Sequence, residues 1–275
     1  MSIFRTLRRR ILYHFPGMDA AYRVYRQYRE MHRCKTRMTE HGFLFGGHPA
    51  MQKGSFEREE ARLIHRCLEV APVFVDVGAN VGYFTSIARQ MGKHVIAIEP
   101  CIQNLEFLYM NLSANRWTDV EVFPVCLGEQ PGLSILYGWG TGASMVRQWA
   151  GCSDVQQRSV PISTLDILLG DRFGDDKIVI KVDVEGLEYS VLRGSEKTLK
   201  RSPPPVWLVE VCLTENYPSG INPHFQDVFR IFWEQGYLAR TIGKDSKVVT
   251  PHDVERWVKE GQRDFGSANY VFERT

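Results

Sequence analysis

The chain has 275 residues, of which 44% are apolar and 24% are charged. This composition is typical of a globular protein with a sizeable core, so we expect one large domain or one domain with an appendage. The formal charge of +2 is unevenly distributed, because ten of the 34 Lys and Arg residues but only three of the 32 Asp and Glu residues lie in residues 1–40. Residues 41–275 are therefore acidic, which argues against a nucleic-acid-binding body.

The cysteines are far apart in the sequence and form no C-x-x-C pair or Cys/His cluster. This spacing fits a reducing compartment and argues against a disulfide scaffold or a zinc site. No apolar run approaches the roughly 20 residues that a membrane-spanning helix needs. The basic N-terminus is followed only by the short apolar run ILYHF, which is too short for a signal peptide. We therefore expect a cytoplasmic protein.

Residues 1–40 show no strand pattern and are predicted to form one or two helices in which arginines alternate with apolar residues. Such helices either cap the domain with their charged face in water or dock on a partner or on the inner membrane surface as a peripheral contact. Binding of nucleic acid is a weaker third alternative. We predict a basic helical N-terminal extension over residues 1–45 and one larger domain over residues 46–275. Residues 41–56 are glycine-rich and form either a linker or an active-site loop.

From residue 73 onward, strand patterns alternate with helical patterns. The sequence predicts strands at residues 73–79, 94–99, 120–127, 177–184, 205–211, 237–241 and 268–274, and helices at residues 56–70, 81–91, 102–115, 188–200 and 224–235. Between residues 128 and 176, short strands around a glycine loop at 138–144 interrupt this order. The alternation predicts a parallel sheet with helices on both faces.

The first strand leads into the glycine turn D-V-G-A-N-V-G at residues 76–82. Its spacing differs from the G-x-G-x-x-G of a dinucleotide site, although the strand, turn and helix context is the same. Glu99 ends the second strand roughly 20 residues later, where an acid binds ribose hydroxyls in nucleoside-binding sheets. Asp76 precedes the turn, and it either faces a ligand in the same crevice or is a buried acid bonded to the turn backbone.

A second group of charged residues follows the strand at 177–184. Period-two alternation places Lys181 and Asp183 on one face of this strand. Asp183 lies at the carboxyl end of the strand, where open α/β sheets bind ligands, and Glu210 ends the neighbouring strand at the same edge. We interpret both carboxylates as functional. Glu185 and Glu188 lie at a helix start, where the helix dipole favours acids whether or not they act in a site.

The blocks VDVGANVGYFT, AIEPCIQN, STLD, IKVDVEGLEYSVLRGSEKTL and LVEV follow one another between roughly residues 54 and 212. In this order they resemble the FkbM family of methyltransferases. The resemblance implies a class I methyltransferase (Rossmann-like) fold, with a seven-stranded, mostly parallel sheet, an antiparallel final strand and helices on both faces. It also implies S-adenosyl-L-methionine as the methyl donor, and O-methylation of a hydroxyl on a sugar, glycoconjugate or related small molecule.

The resemblance assigns roles position by position. The residues that match the donor-binding turn and the ribose-binding block are Asp76, Gly78, Ala79, Asn80, Gly82, Tyr83, Glu99, Pro100 and Asn104. Those that match the family signature D-V-E-G-x-E are Asp183, Glu185, Gly186 and Glu188. Val211 and Cys212 depart from the pattern, because many relatives have a histidine beside the glutamate that Glu210 matches. The role of Glu210 therefore stays open.

The implied chemistry holds an acceptor oxygen in line with an electrophilic methyl group and excludes water. Asp183 is the first candidate for a base or a substrate-orienting group and Glu210 is the second, while Lys181 keeps Asp183 ionised. We predict no bound metal, although a divalent ion on Asp183, Glu185 and Glu210 is an alternative. The loop at 138–144 forms either a lid or a simple turn.

Two other functions remain alternatives at this point. An NAD(P)-dependent oxidoreductase would use a similar strand and ribose acid, but the glycine spacing argues against it. A non-catalytic module that retains the fold and docks on a membrane or a partner would explain the basic head. We expect a small-molecule or carbohydrate acceptor and no nucleic acid, and the sequence does not give the oligomeric state.

Overall fold

The computed structural model describes residues 35–152 and 156–274. The strands are β1 (Arg37–Met38), β2 (Leu44–Phe45), β3 (Val73–Val77), β4 (His94–Ile98), β5 (Glu121–Phe123), β6 (Cys126–Leu127), β7 (Gly132–Tyr137), β8 (Gln157–Ser163), β9 (Ile178–Val182), β10 (Val206–Glu210), β11 (Leu238–Thr241), β12 (Val248–Val249) and β13 (Asn269–Glu273). The helices are α1 (Pro49–Gln52), α2 (Arg58–Val70), α3 (Tyr83–Gln90), α4 (Ile102–Ala114), α5 (Leu165–Leu169), α6 (Glu188–Arg193), α7 (Glu196–Leu199), α8 (Phe225–Glu234) and α9 (Pro251–Glu260).

The main sheet has the strand order β12-β11-β13-β10-β9-β3-β4-β5. Neighbouring strands from β10 to β5 are parallel, and β13 lies antiparallel between β10 and β11. The predicted mostly parallel sheet with an antiparallel final strand is therefore confirmed. The short strand β12 pairs with β11 and adds an eighth strand to the seven that were expected.

The core lies on both faces of this sheet, as the continuous apolar strands predicted. Along β10, Trp207 and Val209 pack on one side with the aromatic face of α8, whereas Val206 and Leu208 pack on the other side with α2 and α3. Strands β3 and β9 are buried along their whole length. The carboxyl ends of β3, β4, β9 and β10 therefore meet at one edge of a rigid sheet.

The strand predicted at 120–127 is in fact two strands in different sheets. Strand β5 pairs with β4 in the main sheet, whereas β6 pairs with β8 in a smaller sheet of order β6-β8-β7. Pro124 lies between them and has no N–H to donate to a strand ladder, which explains the break. The chain therefore leaves the main sheet beside β4 and forms a small sheet. This small sheet lies next to the edge where the carboxyl ends of β3, β4, β9 and β10 meet.

The helix predicted at 188–200 is also divided, into α6 and α7. Gly194 lies between them, and a Cβ at this position would lie 2.1 Å from the carbonyl oxygen of Gly128. This close approach to the small sheet ends α6. Helix α9 was not predicted, although the sequence T-P-x-D contains its signal: Thr250 and Asp253 form a capping box around a proline in the first turn.

The glycine-rich segment at 41–56 packs against the core. Phe43 and Phe45 are fully buried, and Phe45 contacts the ring of Tyr83 edge-on at 5.7 Å. The side chain of Asn111 in α4 binds the backbone of Gly46 as donor and acceptor. Helices were predicted over residues 1–40, of which residues 1–34 lie outside the described residues. The prediction was wrong at Arg37–Met38, which form the short strand β1 by pairing with β2. The domain boundary at 45/46 stays a prediction. Among the described residues, the structure contains no helix long and apolar enough to cross a membrane.

Candidate active site

The glycine turn after β3 passes directly under the loop that follows β9. Gly78 has φ +82°, and a Cβ there would lie 1.9 Å from the carbonyl oxygen of Asp183. Only glycine fits this position, because any side chain would collide with backbone that cannot move aside. The amides of Gly78 and Ala79 donate to the carbonyl of Ile98, which ties the turn to β4. The turn is thereby fixed between the ends of three parallel strands.

Glu99 follows β4 and connects this turn to the start of α4 through its two carboxylate oxygens. Oε2 accepts from the Asn80 amide at 2.8 Å, and Oε1 accepts from the Cys101 amide at 2.7 Å and from the Asn104 side chain at 3.2 Å. Burial raises the pKa of Glu99 to about 7, although these hydrogen bonds favour the ionised form. Glu99 is thus a rigid, preorganised acceptor at the cavity wall.

Asp76 lies beneath the turn and is almost fully buried. Its Oδ2 accepts a 2.6 Å hydrogen bond from the Thr85 hydroxyl in α3. Its Oδ1 is buried and has no hydrogen-bond partner among the residues that the structure describes. Burial raises the pKa of Asp76, and the nearby Lys181 opposes that shift. An orphaned acceptor of this kind requires a donor such as a water molecule or a ligand amine.

Lys181, Asp183 and Glu210 form a charged cluster at the ends of β9 and β10. Lys181 Nζ lies 2.6 Å from Asp183 Oδ2, so the two side chains share one face as the alternation predicted. Burial raises the pKa of Asp183, but the Lys181 ammonium and hydrogen bonds from Glu210 and Lys181 outweigh burial and bring it below its ordinary value. The charge of Asp183, together with burial, raises the pKa of Glu210 well above its ordinary value. Glu210 therefore keeps its proton and donates a hydrogen bond to ionised Asp183.

Glu185 follows this cluster in a left-handed backbone conformation, with φ +55°. Its Oε2 accepts a 2.6 Å hydrogen bond from the Trp149 indole, and its backbone carbonyl accepts one from the Ser144 hydroxyl at 2.6 Å. Gly186 comes next, and a Cβ there would lie 2.5 Å from the Trp149 ring. Burial raises the pKa of Glu185 to about 7. The loop after β9 is therefore clamped by residues 144–149.

The glycine loop at 138–144 forms one wall of the site. The carbonyl of Gly140 accepts from the Asn104 side chain at 3.2 Å, and Thr141, Ala143 and Ser144 line the cavity. These contacts and the Ser144 hydrogen bond join the loop to Asn104 and to the loop after β9. Across residues 35–152 and 156–274, no three His, Cys, Asp or Glu side chains are arranged to hold a metal ion.

These elements line a cavity that is partly open to solvent. The predicted site residues that line it are Gly78, Asn80, Glu99, Pro100, Asn104 and Asp183. The predicted site residues that do not line it are Asp76, Ala79, Gly82, Tyr83 and Glu210. The apolar lining that the sequence did not indicate consists of Val125, Cys126, Leu127, Leu136 and Met145. Most of it comes from the segment that leaves the main sheet at Pro124, so only the break after β5 could have revealed it.

Two predicted residues have clear packing roles. A Cβ at Gly82 would lie 2.4 Å from a methyl group of Leu108, so this glycine allows α3 to pack closely on α4. Tyr83 lies in the core, where its ring contacts Phe45, Phe56 and Phe84. Their assignment to donor binding is not tested by this placement.

Residues 76–239 match the family model described as Methyltransferase FkbM domain. The chain belongs to the FkbM methyltransferase family. Its strand order, with an antiparallel strand inserted between β10 and β11, is that of the class I methyltransferase fold. No curated protein sequence matches the chain at a significant level.

The chain is similar to several solved methyltransferase structures at low sequence identity. A precorrin-6y C5,15-methyltransferase from Geobacter metallireducens GS-15 is 13% identical, with 82% of this chain and 91% of that chain covered and a TM-score of 0.42. An O-methyltransferase from Bacillus cereus in complex with SAH is 14% identical, with 82% of each chain covered and a TM-score of 0.44. A ribosomal protein L11 methylase from Lactobacillus delbrueckii subsp. bulgaricus is 13% identical, with 84% of this chain and 81% of that chain covered and a TM-score of 0.41.

The cofactor of this FkbM protein is S-adenosyl-L-methionine, and the residues of the cavity fit it. Glu99 can accept ribose hydroxyls, because its Oε2 has a single donor in the structure. The apolar wall that includes Leu127 and Leu136 suits an adenine ring. Gly78 lines the cavity with its backbone alone, because a Cβ there would collide with the Asp183 carbonyl.

Proposed function

We propose that this chain transfers a methyl group from S-adenosylmethionine to a hydroxyl oxygen of a sugar, glycoconjugate or related small molecule. The observation that supports this is the state of Asp183. It lines the cavity with about a quarter of its side chain exposed, and it stays ionised beside Lys181. An ionised carboxylate at the cavity wall accepts a hydrogen bond from a hydroxyl and so orients the oxygen lone pair.

Each residue of the site has a separate role in this proposal. Bound S-adenosylmethionine supplies an electrophilic methyl group. Asp183 holds the acceptor hydroxyl, while Lys181 cancels the charge of Asp183 and keeps the carboxylate from binding a proton. Glu210 donates a hydrogen bond to Asp183 and fixes its orientation. The loop at 138–144 forms the wall that excludes water from this end of the cavity.

The acceptor is proposed to be a small molecule or carbohydrate rather than nucleic acid. Residues 41–275 contain 24 Lys and Arg residues against 29 Asp and Glu residues. A surface that binds nucleic acid would have to attract phosphates, which an acidic body repels. The cluster of carboxylates at the site itself would repel them further.

The test begins with binding of S-adenosylhomocysteine by calorimetry, followed by incubation with labelled S-adenosylmethionine and a panel of sugars, glycolipids and nucleotide sugars. We expect methyl transfer to a hydroxyl, detected by mass spectrometry. Asp183→Asn should lower turnover by about 100-fold or more while binding of S-adenosylhomocysteine stays near wild type. Asp175→Asn, an exposed acid before β9, is the matched control. Wild-type turnover in Asp183→Asn would refute the role of this carboxylate.

A further inference from the structure

The carboxylates at the carboxyl ends of β9 and β10 differ in how readily they can accept a proton. Asp183 is ionised and neutralised by Lys181 at 2.6 Å. Glu210 keeps its proton because ionised Asp183 lies next to it. Neither side chain can easily take a proton from an alcohol, since one is held in its charged form and the other is already protonated. The acceptor hydroxyl must nevertheless lose its proton during methyl transfer.

Glu185 is the third carboxylate at this edge, and it lines the cavity itself. Its backbone adopts a left-handed conformation that non-glycine residues seldom adopt. That conformation is maintained from outside: Ser144 binds the Glu185 carbonyl, and Trp149 packs against Gly186 where only glycine fits. Strain that surrounding contacts maintain in this way is common at functional positions.

Trp149 also orients the carboxylate of Glu185. Its indole donates to Oε2 at 2.6 Å, and its own ring is fixed by an edge-on contact with Tyr217 at 4.8 Å. The Tyr217 hydroxyl in turn donates to the carbonyl of Gly186 at 2.9 Å. One carboxylate oxygen is thus held in place on a residue that lines the cavity.

We propose that Glu185 is the general base of the methyl transfer, which receives the proton of the acceptor hydroxyl on Oε1 while Trp149 holds Oε2. This inference rests on the function proposed above. The O–H bond breaks as the new O–C bond forms, the proton goes to Glu185, and the electron pair of the broken C–S bond stays on sulfur. The hydroxyl has a single proton, which hydrogen-bonds to Asp183 in the bound acceptor and passes to Glu185 as the O–C bond forms, because Asp183 is already neutralised by Lys181.

The charges around Glu185 agree with this role. Burial is the largest effect on its pKa and raises it to about 7, and the charge of Asp183 acts in the same direction. The Trp149 hydrogen bond and the Lys181 ammonium act in the opposite direction, and the charge of Glu185 in turn raises the pKa of Glu210. A base whose pKa lies near the working pH combines a large ionised fraction with useful proton affinity.

The activity test uses Glu185→Gln, whose amide oxygen can still accept from Trp149. We expect kcat to fall by about 100-fold or more with S-adenosylhomocysteine binding retained. In wild type, kcat should fall as pH drops below about 7, because Glu185 becomes protonated. This low-pH limb of the kcat profile should be absent in Glu185→Gln. Asp183→Asn should keep this pH dependence but move it to lower pH, because the charge of Asp183 contributes to the raised pKa of Glu185. Glu129→Gln, an exposed acid paired with Arg193, is the control.

A second measurement needs no substrate. The indole N–H resonance of Trp149, assigned through its loss in Trp149→Phe, should titrate with a midpoint near pH 7 in wild type and not in Glu185→Gln. In active enzyme, Trp149→Phe should move the kcat limb to higher pH, since the ionised form loses a hydrogen bond.

The outcomes are separable. If wild type methylates a hydroxyl and Glu185→Gln keeps its rate, the base assignment is wrong and the proposed function stands. An indole resonance that titrates near pH 4.5 or not at all also overturns the assignment. If the folded wild type binds S-adenosylhomocysteine but methylates no hydroxyl in the panel, the proposed function fails, and the base role fails with it.

Discussion

Lys181→Met tests whether one buried cation stabilises the carboxylates at the site edge. Lys181 is only 5% exposed, and its ammonium lies 2.6 Å from Asp183 and within 5.0 Å of the Phe84 ring. Methionine preserves most of the side-chain length and the contact with Phe84. The substitution therefore removes the charge while most of the packing is preserved. It leaves Asp183 without a counterion close to Asp76 and Glu57.

Removing one partner of a buried ion pair typically costs about 3–5 kcal/mol, because the other charge remains buried and uncompensated. We expect a loss of this size in the free energy of unfolding at pH 7, measured by urea denaturation followed by circular dichroism. This is a large share of the roughly 5–15 kcal/mol that stabilises a typical domain. Arg193→Met, which breaks an exposed pair with Glu129, is the matched control and should have a much smaller effect.

The double variant Lys181→Met/Asp183→Asn should regain at least about 1 kcal/mol relative to Lys181→Met, because the uncompensated charge is then gone. The pH dependence has a defined sign. Asp183 has a lowered pKa in the folded state, so its stabilising contribution is present above its unfolded pKa and is lost as pH falls through the folded value. A cost below about 1 kcal/mol for Lys181→Met, or no recovery in the double variant, would refute this view of the cluster.

Two further substitutions test the turn and the acid beside it. Gly78→Ala should weaken binding of S-adenosylhomocysteine by about 10-fold or more, because its Cβ would lie 1.9 Å from the Asp183 carbonyl. Binding is measured by calorimetry, and wild-type affinity in Gly78→Ala would contradict the claim that only glycine fits this position. Glu57→Gln should raise the free energy of unfolding at pH 8 and leave it unchanged at pH 4, because burial raises the pKa of Glu57 to about 7 and only the ionised form is penalised. Equal stability of Glu57→Gln and wild type at pH 8 would exclude that penalty.

The regular part of the fold could be predicted because its signals are local. Strand β3, the glycine turn and α3 follow one another in 18 residues, from Val73 to Gln90. Period-two alternation was enough to place Lys181 and Asp183 on one face. The approximate end of each of these elements followed from apolar periodicity and glycine spacing.

The rest depends on contacts between distant segments. Trp149 reaches Glu185 across 36 positions in sequence and lies where no periodic pattern marks a buried residue. Glu57 appears in the sequence as an ordinary acid before a helix, yet folding brings it close enough to Lys181 for their charges to interact. Only Pro124 gave a local warning that the predicted strand at 120–127 would divide.

The carboxylates of the site have too few counterions for all of them to be ionised. For this reason the residue types alone do not indicate which carboxylate acts as the proposed base. Asp76, Glu57, Asp183 and Glu210 all interact with a single buried ammonium, that of Lys181, so they cannot all be ionised at neutral pH. Ionised Asp183 forms the ion pair with Lys181, and Glu210 stays protonated and donates a hydrogen bond to Asp183. A carboxylate that lines the cavity and is hydrogen-bonded to neither Lys181 nor Asp183 is the one whose proton can exchange with substrate. Glu185 meets that condition, since its fixed partner is the neutral indole of Trp149 rather than the lysine.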